Sequence, residues 1–185
     1  MTIEENFPQG LKGLKLVFMG DARNNMGNSL MVTCAKLGMH FVACAPKELW
    51  PEAELVKKAE DIAKETGATV TLEEDVEKAC TGANVIYTDI WLSMGEPAEL
   101  WEQRIKLLKP YQVNAKAMSY ADSNAIFMHC LPSFHDLNTT VAKDVHEKFG
   151  LTEMEVTDEV FESDQSKVFD EAENRMHSIK AIMYA

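Results

Sequence analysis

The sequence predicts an α/β fold, a single domain with a doubly wound, mainly parallel sheet and helices on both faces. Three observations lead there. Gly38, Gly67, Gly82 and Gly150 each close a helix-like stretch and open an extended one, which is where a helix ends in left-handed backbone. The segment from Pro51 to Thr66 places Leu55, Val56, Ala59, Ile62 and Ala63 on one face and Lys57, Lys58, Asp61 and Lys64 opposite, the period of a helix that covers a sheet. The runs that follow the glycines are Met39 to Ala45, Ala68 to Leu72, Ala83 to Trp91 and Leu151 to Val156. Most are short and apolar, as strands buried on both faces require.

The expected strands are, in order, Leu14 to Met19, Phe41 to Ala45, Thr69 to Leu72, Asn84 to Thr88 and Ala125 to His129. Alternation with helices implies right-handed crossovers between parallel strands. A helix near Asp75 to Ala79 follows Thr71-Leu72-Glu73-Glu74, the spacing of a capping box. From about Val168 the residues Phe169, Ala172, Met176, Ile179 and Met183 recur at steps of three and four. They predict a last helix whose apolar stripe runs almost to the final residue and looks for a partner to cover it.

At 185 residues the chain suits one domain. Hydrophobic residues at 46% and charged residues at 26% are those of a folding chain rather than a disordered one. The formal net charge of −12 repels phosphodiester backbones and anionic headgroups, which argues against nucleic acid and membrane partners. A local basic cluster can still hold a small anion. Cys34, Cys44, Cys80 and Cys130 form no C-x-x-C pair, so reduced thiols, no zinc site and a cytoplasmic location are expected. No run approaches the roughly 18 apolar residues of a membrane span.

In a doubly wound sheet ligands sit beyond the carboxyl ends of the strands, so three loops and one helix carry the candidates. The first loop, Gly20-Asp21-Ala22-Arg23-Asn24-Asn25-Met26-Gly27-Asn28-Ser29, lacks the G-x-G-x-x-G of a dinucleotide site, which argues against a nucleotide-binding oxidoreductase. It reads either as a ligand loop or as a tight turn with an Asn cap. The second, Thr88-Asp89-Ile90-Trp91-Leu92-Ser93-Met94-Gly95-Glu96-Pro97, puts Asp89 at the end of an apolar strand. A carboxylate there wants a donor or a cation such as a substrate amine, or else it caps a turn. The third, Met128-His129-Cys130-Leu131-Pro132-Ser133-Phe134-His135-Asp136, offers a thiol beside two imidazoles. Neighbours on a strand point to opposite faces, so His129 is poorly placed to activate Cys130. In the last helix Arg175 follows Glu171 by one turn and suits a simple ion pair.

Taken together these segments resemble ornithine carbamoyltransferases of the aspartate/ornithine carbamoyltransferase family. The resemblance rests on Gly20 to Ser29, Asp89-Ile90-Trp91-Leu92-Ser93-Met94-Gly95, His129-Cys130-Leu131-Pro132 and Glu173-Asn174-Arg175-Met176-His177, in that order, and extends from about Leu14 to the end. It implies a Rossmann-like domain that binds L-ornithine. Asn25 matches the residue at the ornithine carboxylate, Asp89 the one at the α-amino group, and Ser93 with Met94 the loop that closes over it. His129, Cys130, Leu131 and Arg175 match the carbamoyl phosphate side, with Cys130, Arg175 and Asp89 at the reacting centre. The reaction implied is attack of a neutral side-chain amine on carbamoyl phosphate, giving citrulline and phosphate with no metal, cofactor or covalent intermediate.

The family also carries a preceding domain with Ser-x-Arg-Thr and His-Pro-x-Gln segments, neither of which occurs here. The reading is therefore of an ornithine-binding half, residues 14–185, after a linker remnant at 1–13, inactive on its own and a piece of a longer, trimer-based homo-oligomer. The competing expectation is a stand-alone amino-acid-binding or regulatory module that kept the loops and lost the chemistry.

Overall fold

The computed structural model describes residues 1–93 and 95–185. Its elements are α1 (Thr2–Asn6), β1 (Lys15–Met19), α2 (Asn25–Leu37), β2 (His40–Cys44), α3 (Ala53–Thr66), β3 (Val70–Glu73), α4 (Val76–Cys80), β4 (Val85–Thr88), α5 (Trp101–Leu108), α6 (Ala115–Tyr120), β5 (Ile126–His129), α7 (Thr140–Phe149), α8 (Asp158–Phe161) and α9 (Val168–Tyr184). The strands form one sheet in the order β3-β2-β1-β4-β5, and every pair is parallel. Val17 is registered with Val42 on one side and Ile86 on the other.

Alternation along the strands divides the interior into two layers. Leu16, Phe18, Phe41, Ala43, Val85 and Tyr87 pack with Met31 and Cys34 of α2 and Ala59 and Ala63 of α3. Val17, Met19, Val42, Cys44, Ile86 and Phe127 pack on the other side with α4, α6 and α8. The strand stretches are thus apolar at nearly every position because both faces are covered. No helix among the described residues is long and apolar enough to cross a membrane, and all four cysteines are free.

Two local expectations need correction. Thr71 is part of β3, opposite Val42, so Thr71 to Glu74 is no capping box. The cap of α4 is Asp75, whose carboxylate accepts the Lys78 amide at 3.0 Å, while Glu73 accepts the amides of Glu74 and Asp75. The stretch Leu151 to Val156 adds no strand either. It makes a single bridge, Val113 to Val156, because loops satisfy its backbone: Gln112 donates to the Met154 carbonyl at 2.7 Å and the Met154 amide donates to Phe134. The segment 1–13 contains α1, buries Thr2 and Phe7, and meets α9, whose Asn174 donates to Thr2 and Glu5 at 2.9 and 2.7 Å.

α2 starts at Asn24, whose side chain accepts the Gly27 amide at 2.8 Å. Gly27 is there for close approach: a Cβ on it would lie 2.7 Å from the Ala22 carbonyl oxygen. Gly27→Ala is expected to destabilise the chain by about 1–3 kcal/mol through overpacking, outweighing the roughly 1 kcal/mol gain in helix propensity. A urea midpoint at or above that of the parent chain would contradict this.

Candidate active site

The strand order reverses between β1 and β4, so the loops that leave these two strands diverge and open a crevice at their carboxyl ends. Asp89, the first residue after β4, is the hub of that crevice. Its Oδ1 accepts the Ile90 amide at 2.8 Å and the Cys130 thiol at 3.3 Å, and its Oδ2 accepts the Asn24 side-chain amide at 3.0 Å. The carboxylate therefore ties together the loops after β1, β4 and β5 through neutral donors. Among the described residues no lysine or arginine pairs with it.

Burial, reinforced by the nearby Asp89 carboxylate, pushes the Cys130 thiol up to about 12. It is thus a protonated hydrogen-bond donor at neutral pH rather than a thiolate nucleophile. His129 gives it no help. Its Nδ1 accepts the Leu131 amide at 2.9 Å, which places the ring proton on Nε2, facing the Glu155 carboxylate at 3.3 Å. His129, expected on the carbamoyl phosphate side, is fully buried with Leu131 and Glu155 at its two ring nitrogens.

Both His129 and Glu155 are 0% exposed. Glu155 Oε1 also accepts the Ser133 hydroxyl at 2.9 Å and the Phe134 amide at 2.6 Å. Burial works against ionisation of Glu155, yet His129 and the Phe134 amide hold its carboxyl below the usual range. This buried set underpins Leu131, which sits at φ 51 before a cis peptide bond to Pro132. Such a φ is strained for a residue with a Cβ, and persists where the surroundings fix it.

Arg175 is exposed on α9 and makes no ion pair with Glu171 among the described residues. The expected pair is absent because Glu171 turns inward and accepts the Tyr87 hydroxyl at 2.6 Å. Burial raises the Glu171 carboxyl above its ordinary value. Glu171, Arg175, Cys130, Met26 and Met128 line a cleft of about 450 Å³. The outer stripe of α9 is uncovered: Phe169 is 64% and Met183 78% exposed.

Ser93 is half-buried, and its amide donates to Glu96 at 2.8 Å. Met94 lies outside the described residues. Asn25, expected at the amino-acid end, is exposed in the first turn of α2 with no side-chain hydrogen bond among the described residues, and its neighbour Asn24 reaches Asp89. Sequence reasoning passed over Asn24, Tyr87, Glu155 and Arg104. Arg104 shares a face of α5 with Trp101 and Leu108, the buried residues of that helix, where a charge demands partners. Its guanidinium donates to Asp21 at 2.5 Å and Glu96 at 2.7 Å. His135, Asp158 and Glu162 are the one metal-type grouping among the described residues. There His135 pairs with Asp158 at 2.7 Å and stacks on Phe161.

Residues 12–185 match the model of the aspartate/ornithine carbamoyltransferase Asp/Orn binding domain. The chain belongs to that family. Among curated carbamoyltransferases, the catabolic ornithine carbamoyltransferase of Treponema denticola is 65% identical over the whole chain, and that of Mycoplasma capricolum subsp. capripneumoniae 62% over 92% of it. The chain spans 54% of the length of each. Among solved carbamoyltransferases, the ornithine enzyme of Pyrococcus furiosus superposes on 98% of the chain with a TM-score of 0.81 and 40% identity, the chain covering 52% of it. The ornithine transcarbamoylase of Giardia lamblia gives 0.81 at 33% identity over 98% of this chain and 55% of its own.

Proposed function

We propose that this chain is the amino-acid-binding half of an ornithine carbamoyltransferase, acting on L-ornithine and carbamoyl phosphate to give L-citrulline and phosphate. The observation that carries the reading is the Asp89 carboxylate, fixed by three neutral donors at the topological switch point with no lysine or arginine pairing with it among the described residues. A carboxylate so held is preorganised for an ammonium group, because its donors orient it without neutralising it. The similarity to ornithine carbamoyltransferases supports ornithine as the source of that ammonium.

In this reading residues 14–185 form the ornithine-binding unit, with Asn25, Asp89, Ser93 and Met94 at the amino acid. Asn24 joins them as the residue that orients Asp89. Cys130, Leu131 and Arg175 meet carbamoyl phosphate, most of which is gripped by the half of the relatives that this chain does not span. His129 serves from beneath, by holding the Leu131 amide. The chain's share of catalysis is to orient the side-chain amine and exclude water from it, effects worth several kcal/mol when the reacting atoms are held in line. The thiol of Cys130 donates a hydrogen bond and forms no covalent intermediate. We place the enzyme in a trimer-based homo-oligomer in the cytoplasm.

The test is complementation. The chain expressed with the remaining half of the Treponema denticola enzyme is expected to form citrulline from ornithine and carbamoyl phosphate, and the chain alone is not. Ornithine binding without citrulline formation by a folded, assembled pair would instead favour an amino-acid-binding module.

A further inference from the structure

Arg104 is 12% exposed, and its two guanidinium nitrogens go to carboxylates from different loops. Asp21 follows β1, and Glu96 lies in the loop after β4. The second oxygen of Glu96 accepts the Ser93 amide at 2.8 Å, and the Glu96 amide returns to the Ser93 carbonyl at 3.0 Å. Asp21 spends its other oxygen on the Arg23 amide at 3.1 Å. One cation on α5 thus spans the two loops whose divergence opens the crevice, and one of its partners holds the backbone of Ser93.

We infer that Arg104 is a positioning residue for amino-acid binding, acting through Glu96 to fix Ser93 relative to Asp89. This rests on the reading of the crevice as the ornithine site. The physical case is that a guanidinium is planar and always charged, with donors fixed in a fork that can serve two carboxylates at once. An ammonium is a point charge on a flexible stem and cannot span both at the same geometry. Partial burial keeps the pairs from being screened away as surface pairs are. Without the clamp Glu96 loses its cation, Asp21 keeps only the longer contact to Arg23 at 3.5 Å, and the Ser93 segment loses its fixed distance from the β1 loop. Trp101 and Leu108 anchor α5 independently of Arg104, so the helix has other reasons to stay in place.

The experiment compares Arg104→Met, Arg104→Lys and Glu96→Gln with the parent chain, each assembled with the remaining half of the Treponema denticola enzyme. Arg104→Met is expected to raise the KM for ornithine roughly ten- to hundredfold, as a misplaced positioning group does, with the KM for carbamoyl phosphate within about twofold of the parent. Lysine is expected to restore only part of the loss. In Glu96→Gln the Ser93 amide should exchange with solvent faster in the chain itself, a readout that needs no activity. A purely structural role predicts less folded protein and an unchanged KM for ornithine, and that result overturns the inference. If Arg104→Met does not fold, the KM in Arg104→Lys and the Ser93 exchange in Glu96→Gln decide in its place. If the assembled parent makes no citrulline, the assigned function fails. The exchange measurement then still judges the clamp: unchanged Ser93 exchange overturns it.

Discussion

Glu155→Ala is expected to lower the stability of the chain by about 3 kcal/mol or more, because each buried donor left without its acceptor costs about 1–3 kcal/mol. The change strips an acceptor from the Ser133 hydroxyl and the Phe134 amide and removes the carboxylate that His129 Nε2 faces at 3.3 Å, all in an interior that water does not reach. Glu155→Gln keeps an oxygen for the same donors and loses only the charge, so its cost should be nearer 1 kcal/mol. Urea unfolding of the three chains measures both steps. The sign of the pH dependence follows from the direction of the shift. Glu155 is held below its ordinary value of 4.5, so its contribution is present above that value and is lost as pH falls through the folded-state pKa. The acid limb of stability should therefore flatten in Glu155→Gln. An Ala variant as stable as the parent would mean that the pair contributes nothing.

Asp89→Asn is expected to weaken ornithine binding about a hundredfold or more, the scale for breaking a charge-assisted pair in a desolvated site, while carbamoyl phosphate binding stays the same. The substitution is isosteric yet wrong in two ways. It removes the charge that an ammonium would meet. It also introduces an amide donor where Asn24 and Cys130 already donate, so one of them must turn away. Steady-state kinetics of the assembled enzyme, with each substrate varied in turn, separates the two effects. Unchanged use of ornithine would remove Asp89 from the site.

The strands were legible because burial on both faces leaves little but apolar residues, with helix-ending glycines marking the starts of β2, β3 and β4, although the stretch after Gly150 forms only a single bridge. Gly38, Gly67 and Gly150 do cap helices in the left-handed region. The helices between β4 and β5 were not legible: α5 and α6 are short, and their apolar positions are too few to set a period. The site was legible down to its loops, and less so to its residues. Asn24 and Asn25 are adjacent and identical in chemistry, and only the backbone angles of the helix start decide which of them is the cap and so which one faces Asp89. Tyr87 and Glu171 are apart in sequence by 84 positions, and neither carries a local sign of the other. Glu155 looks like an ordinary acid near a helix start until the fold encloses it.

The position of each group within the sheet order also sets how often it moves. Asp89 directly follows β4 and bonds to Asn24, the cap of α2 beyond β1; β4 and β1 are paired on both sides, and amides of such central strands exchange only when the whole domain opens. Arg175 rides on α9, of which only Val168 is buried and which the side chains of Glu171 and Asn174 moor. Openings of a helix held this way are local and far more frequent. The two ends of the proposed site are therefore expected to keep different time: amides beside the amino-acid end should exchange with the central strands, and those of α9 around Arg175 far sooner.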